Sequence, residues 1–232
     1  MSPQTRTQRE TARNLFRQKG LVRMRDLRDL RDAEVGAETV ARLVREGAVT
    51  RVARGLYHLT DATPDTRRSF AEASAFVPKG VVCLTSALQF HELTLQMPSA
   101  VWIAIHRTGW KPKVGYPAIR FVRFSSRALK EGVKRHLIEG IEVPIFEPAK
   151  TIVDCFRYRN KIGLDIALEG LREGLRTKRA TPDQLWAFAR TFRVWSVMRP
   201  YVEATVANGA WVSQYRRLGS RSTSRPRPRR GD

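Results

Sequence analysis

Cysteine is nearly absent from this chain. The two that occur, Cys83 and Cys155, sit in apolar surroundings with no metal-type spacing, so they read as small core residues in a reduced compartment. No apolar run approaches the roughly 18 residues that a membrane span needs. The opening MSPQTRTQRE lacks the apolar segment of a secretory signal, so the expected location is the cytoplasm, with no membrane partner. Histidine is scarce as well: His58, His91, His106 and His136 share no short ligand spacing, and His91-Glu92 is not followed by a second histidine at helical distance. There is no phosphate-binding glycine loop and no internal repeat. No metal and no cofactor is expected.

Acidic residues are the other shortage. Twenty-two Asp+Glu stand against 43 Lys+Arg, a formal net charge of +21 over 232 residues. The excess is spread along the chain: residues 1–60 hold 13 basic and 7 acidic groups, residues 61–210 hold 23 and 14, and residues 211–232 hold 7 and 1. Such a balance concentrates a polyanion at the surface, and nucleic acid is the first candidate. A solubility habit of an Arg-rich proteome produces the same charge, so charge alone does not settle the partner. A hydrophobic share of 42% is that of a globular protein and excludes wholesale disorder.

What is present is patterned. Residues 5–19 carry Ala12, Leu15 and Phe16 at helical spacing, with Arg6, Arg9, Arg13 and Arg17 on the polar side and Gly20 as a left-handed cap. Val22 and Met24 lead into a second helix over about 25–31, and residues 32–36 supply a turn. A third helix over about 37–46 turns Val40, Leu43 and Val44 inward, and Gly47 ends it. Val49 and Val52 mark a strand, Arg54-Gly55 turns the chain, and residues 56–59 return it. Two helices, a turn and a hairpin over 21–59 are the order of a winged helix-turn-helix.

The polar, Pro-interrupted stretch 61–68 reads as a linker. Beyond it, residues 69–76 form a short helix stopped by Pro78 and Gly80, and 81–84 a buried strand. Thr85 or Ser86 caps the next helix. Strands follow at 101–105, 119–124 and within 133–145, with Glu139-Gly140 as a hairpin turn and 107–117 as a loop. After Pro148 the pattern turns helical, at about 149–158, 165–176, from Thr181, and 197–208. Thr181-Pro182-Asp183-Gln184 has capping-box spacing. The fold class expected is α+β: a winged helix-turn-helix over 1–60, a linker, a larger mixed domain over 69–210 with strands first and helices last, and a disordered Arg-rich tail over 211–232.

The chemistry these residues offer is recognition. A helix-turn-helix presents its second helix to the major groove, where base edges are distinguishable. With Val40, Leu43 and Val44 inward, the opposite face shows Glu38, Ala41, Arg42 and Arg45. Arg51, Arg54 and His58 on the hairpin are placed to follow the backbone or reach the minor groove. The plain alternative is that Glu38 and Arg42 form an i,i+4 surface pair worth roughly 0.2–0.5 kcal/mol, and winged helices also serve as protein-binding modules.

An enzymatic alternative uses Glu139, Glu142, Glu147, Lys150 and Asp154, since carboxylates with a lysine can hold a divalent ion and a phosphate for metal-dependent cleavage. Against it, Lys150 and Asp154 stand at i,i+4 on a helix, the spacing of a surface salt bridge. The aromatics Trp102, Trp110, Tyr116, Phe121 and Phe124 lie in or beside strands and read as core and rim residues rather than base-stacking platforms. The arginines of the tail either add salt-sensitive nucleic-acid affinity or decorate the surface.

Taken together, REGAVTRVARGLYHL, VVCLTSALQFHELT, VPIFEPAKTIVDCFRYRNKIGLDIALEGLREGL and VMRPYVEA resemble the AbiEi family, antitoxins of bacterial type IV toxin-antitoxin systems linked to phage abortive infection. The likeness covers about residues 5–207, and the EPAKTIVDCFRYR block is its most specific part. The resemblance implies a non-enzymatic transcriptional autorepressor acting on inverted repeats in double-stranded DNA of its own promoter. It also implies a C-terminal antitoxic domain opposing a nucleotidyltransferase-like toxin without a stable complex. The basic tail over 216–230 has no place in the family pattern. An orphan regulator is the alternative that shares the DNA-binding half.

Overall fold

The computed structural model describes residues 3–24, 36–53, 55–60, 67–112, 114 and 117–207. They form a mixed α+β structure in which a small sheet with its helices precedes a larger sheet and a helical layer. The expected helix over 25–31, Arg54, most of the linker, Tyr116 and the basic tail lie outside the described residues.

The chain opens with α1 (Pro3–Lys19), whose Ala12 and Phe16 are buried, and Gly20 leaves it with a φ of +69°. A two-residue strand follows, β1 (Val22–Arg23), where the sequence pattern led straight into a helix. Two residues carry no periodicity, so only pairing reveals the strand. Helix α2 (Ala37–Arg45) leads to β2 (Val49–Ala53) and β3 (Leu56–Leu59). Strand β3 lies between β1 and β2, antiparallel to both. Phe16, Val22, Val40, Leu43, Val49 and Leu59 close a small core between this sheet and the helices.

The second part begins with α3 (Arg68–Phe76) and β4 (Val81–Val82). Helix α4 (Leu84–Phe90) starts one residue before the expected caps and has no side-chain cap. Ser86 instead accepts the Trp102 backbone N–H at 2.9 Å, tying α4 to the sheet. Then come β5 (Val101–His106), β6 (Ile119–Phe124), the short α5 (Ser126–Lys130), β7 (Val133–Ile138) and β8 (Ile141–Phe146). The sheet order is β6-β5-β4-β8-β7, with β5/β6 and β4/β8 parallel and the other pairs antiparallel. Glu139 and Gly140 both take positive φ, 44° and 74°, in the tight turn between β7 and β8.

Strand β5 is apolar from Val101 to Ile105 because both faces of the sheet are covered there. Val101, Ile103 and Ile105 join one cluster with Phe70 of α3, while Trp102 and Ala104 join the other with the helical layer. That layer is α6 (Pro148–Arg157), α7 (Arg159–Ile162), α8 (Leu164–Arg176), α9 (Pro182–Thr191) and α10 (Trp195–Ala207). The expected capping box is present at α9, with Thr181 accepting from the Gln184 N–H and Gln184 accepting from the Thr181 N–H.

The small sheet docks on the face of the large one that α3 also covers. Leu21 and Leu56 share a cluster with Phe70, Ile138 and Ile141, and the Leu21 N–H donates to the Glu139 carbonyl at 3.0 Å. A side chain at Gly20 would meet the Cβ of Glu139 at 2.8 Å, so the β7–β8 turn and the end of α1 meet only because Gly20 has none.

Candidate nucleic-acid interface

Helix α2 buries Val40 and Leu43 completely against α1 and the hairpin. At about 100° per residue, positions 38, 41, 42 and 45 fall in one arc of roughly 100° on the opposite side. Glu38, Ala41 and Arg45 are exposed there and Arg42 is half-buried. Glu38 lies in the first turn, and Arg42 and Arg45 in the last, so each also suits the helix dipole. The i,i+4 pair between Glu38 and Arg42 does not form among the described residues. The ion pair that does form joins the elements: Arg9 of α1 meets Glu46, just past α2, at 2.5 Å.

The hairpin divides its candidates. Opposed residues of an antiparallel pair point to one face, so Thr50 and His58 share a face, and Arg51 and Tyr57 share the other. Tyr57 packs with the α1–α2 core, whereas Leu56, on the His58 face, packs toward Phe70 of the larger part. Arg51 is exposed. His58 is half-buried, and its Nδ1 donates to the Leu59 carbonyl at 2.5 Å. His58 and Arg51, both expected to follow the backbone or reach the minor groove, thus lie on opposite faces of the hairpin. Arg54 lies outside the described residues.

Periodicity hid one further feature. An open hollow of about 290 Å³ lies between α1 and the hairpin, lined by Arg13, Arg17, Gly47, Ala48, Leu59 and Thr60. Among the described residues neither arginine has a carboxylate partner. At its rim the Thr60 and Thr50 hydroxyls meet at 2.9 Å. Two unpaired guanidiniums with a hydroxyl at the edge make an anion-binding chemistry. The signal in the sequence was the i,i+4 spacing of Arg13 and Arg17.

The carboxylate candidates do not converge. Glu142 pairs with Arg135 across β7 and β8, Glu139 sits in the turn 3.9 Å from Arg68, and Glu147 precedes α6. No group of three His, Cys, Asp or Glu able to hold a metal occurs among the described residues.

Lys150 and Asp154 overturn the surface salt bridge read from their spacing: both are fully buried, and they bond to each other inside the protein. The Lys150 Nζ stands over the rings of Phe146, Phe192 and Phe124 at 4.3, 4.4 and 5.0 Å. Asp154 Oδ1 has no hydrogen-bond partner among the described residues. Burial pushes Asp154 up to about 6 against the opposing pull of Lys150, and burial likewise lowers Lys150 from its usual value. A sealed pair cannot reach a substrate, so its place is structural.

The other side chains singled out by sequence also separate. Cys83 and Cys155 are buried free thiols, pushed well up by burial. Trp102 and Phe124 are core and Phe121 is partly buried, but Trp110 is 78% exposed, against the core-and-rim expectation. None of the described helices is long and apolar enough to cross a membrane.

Residues 10–60 match the family model described as "Transcriptional regulator, AbiEi antitoxin", so the resemblance read in the sequence holds over this N-terminal segment. No curated protein matches the chain. Among solved structures, the chain is similar to the RV2827C protein from Mycobacterium tuberculosis, with 14% identity, a TM-score of 0.60, and coverage of 98% of this chain and 85% of that one. At that identity the likeness concerns the fold alone.

Proposed function

On the premise of that N-terminal match, which supports a DNA-binding regulator, we propose that the chain is a transcriptional autorepressor and the antitoxin of a type IV toxin-antitoxin system. The observation that carries the reading is the arc of Glu38, Ala41, Arg42 and Arg45 on α2, inside the matched segment and opposite its buried face. In this reading residues 1–60 act as a winged helix-turn-helix with α2 in the major groove of promoter DNA. Arg42 and Arg45 reach guanine edges or phosphates. Arg51 and Arg54 follow the backbone, and the Arg13–Arg17 hollow takes a neighbouring phosphate. His58 reaches toward the backbone or the minor groove from the other face of the hairpin.

The operator is double-stranded DNA with inverted repeats in the chain's own promoter. Residues 61–68 link this domain to an antitoxic domain over 69–210 that opposes a nucleotidyltransferase-like toxin in the cytoplasm without catalysis and without a stable complex.

The test is operator binding by gel shift or fluorescence anisotropy across a salt series. Arg42→Ala or Arg45→Ala is expected to weaken specific binding by about 1–3 kcal/mol where the arginine reads a base. Arg13→Ala/Arg17→Ala is expected to weaken all duplexes alike and to flatten the salt dependence. Unchanged operator binding in both recognition-helix variants removes α2 from the groove. For the antitoxin half, co-expression with a nucleotidyltransferase-like product of the adjoining gene should restore growth. Growth arrest that persists leaves an orphan regulator.

A further inference from the structure

Indole is costly to leave in water, and Trp110 is 78% exposed on the loop after β5. Its surroundings are cationic. Arg123 of β6 donates from Nη1 to the backbone carbonyls of Arg107 and Gly109, which pins the loop carrying Trp110 beside the end of β6. Tyr158 donates its hydroxyl to the Arg123 carbonyl at 3.0 Å and stacks on Phe124 with ring centroids 5.4 Å apart. Arg157 and Lys161 then stand 5.9 and 5.7 Å from the Tyr158 ring, and Arg107 is close enough to act on its phenol.

Arg107, Lys111, Arg123, Arg157 and Lys161 are all exposed. Among the described residues none of the five has a carboxylate partner. Arg127, Arg176 and Arg199, by contrast, each pair with a carboxylate, Glu131, Glu173 and Glu203. Five cations without a carboxylate partner among the described residues thus stand on the loop that carries the exposed indole and on the elements beside it, at the carboxyl end of the parallel β5–β6 pair.

We propose that this surface binds single-stranded nucleic acid, with an unpaired base stacked on Trp110 and its phosphates held by Arg107, Lys111, Arg157 and Lys161. The chemistry selects that ligand. A duplex keeps its bases stacked on one another and offers the indole no ring face, whereas a single strand offers a base to stack on and phosphates to pair with the cations. An acidic peptide would satisfy the charges but not the exposed ring. This surface belongs to the larger part of the chain and is separate from α2, so it does not depend on the operator reading.

The test uses the full chain and homopolymer probes, poly(U) and poly(dT), beside a duplex of the promoter. Trp110→Ala is expected to weaken single-strand binding on the order of tenfold to a hundredfold, the loss of one base–aromatic stack, and Trp110→Phe to restore most of it. Arg157→Ala/Lys161→Ala should lower the salt slope on single strands by about 1.4, two phosphate contacts at about 0.7 each. Duplex binding should stay within twofold in these variants, while Arg45→Ala does the reverse. Tighter binding of poly(U) than poly(dT) would mark the ribose hydroxyl as part of the ligand, and equal binding the shared chemistry. Less than a twofold loss in both Trp110→Ala and the double variant overturns the proposal. So does an equal loss on duplex and single strands, or a polyglutamate that competes as well as poly(U).

Discussion

Replacing Asp154 by alanine removes the partner of an ammonium that has no access to water. Lys150 and Asp154 both have zero exposure, and three phenyl rings enclose the Nζ at 4.3–5.0 Å. The rings return part of the lost interaction as cation–π attraction, about 2 kcal/mol when desolvated. They do not replace a carboxylate, and breaking a buried pair costs about 3–5 kcal/mol. A fold of this kind is stable by about 5–15 kcal/mol, so the single variant sits near the edge of folding. Lys150→Met/Asp154→Leu removes both charges at similar volume and should be more stable than Asp154→Ala, because no lone charge is left inside.

The pair also predicts a pH signature. Asp154 rises from 3.8 to about 6 on folding, so the folded state holds the proton more tightly. Its contribution to stability is full below about pH 3.8 and is lost as pH rises through about 6. Wild type should therefore lose ground to the double variant between pH 4 and pH 7. Urea unfolding at both pH values measures this. An Asp154→Ala midpoint equal to wild type, or a double variant no better than the single, would refute the buried-pair account.

The remaining predictions concern other buried groups and caps. His91 donates from Nε2 to the Phe146 carbonyl at 2.7 Å, and burial lowers it from 6.5 to about 4. Its contribution is present above pH 6.5 and lost as pH falls toward 4, opposite in sign to that of Asp154. His91→Gln should therefore flatten the loss of stability on acidification, and urea midpoints at pH 6.5 and 4 that fall as far as wild type would exclude His91 as the titrating group. Thr181→Ala should cost about 1 kcal/mol through the lost cap of α9, with Thr181→Ser restoring it in thermal melts. Gly132→Ala combines a φ of +71° with a new Cβ 2.8 Å from the Lys150 Cβ, and should cost about 2–4 kcal/mol in urea unfolding. A wild-type midpoint in that variant would mean that the loop before β7 yields without strain.

Much of the local structure was legible in the residues. The capping box at Thr181, the Glu139–Gly140 turn and the amphipathic faces of α1 and α2 are short-range, and side-chain chemistry within four residues decides them. Other elements were not legible. Strand β1 is two residues long and exists because β3 pairs with it. Helix α5 is a five-residue turn capped by Ser125, which accepts from the Ala128 N–H, between two strands that the pattern ran close together.

For the candidate site, the exposed arc of α2 followed from helical periodicity, because Val40 and Leu43 define its opposite. The separation of His58 from Arg51 did not, since it depends on the register of β2 against β3 and on which face meets the larger sheet. The hollow beside Arg13 and Arg17 likewise requires α1 and the hairpin to be placed together.

The sequence by itself determined that the chain folds as α+β, that it is cationic along its whole length, and which helix face in the N-terminal segment is polar. These depend on composition and on periods of two and 3.6 residues. Only the tertiary structure decided that Lys150 and Asp154 are sealed in the core and that Trp110 is not. An i,i+4 pair of charges has the same spacing on a buried face as on an exposed one, and an aromatic residue beside a strand is equally at home in either. What separates them is whether another element packs on top: α9 and α10 close over α6, and nothing among the described residues closes over the loop after β5.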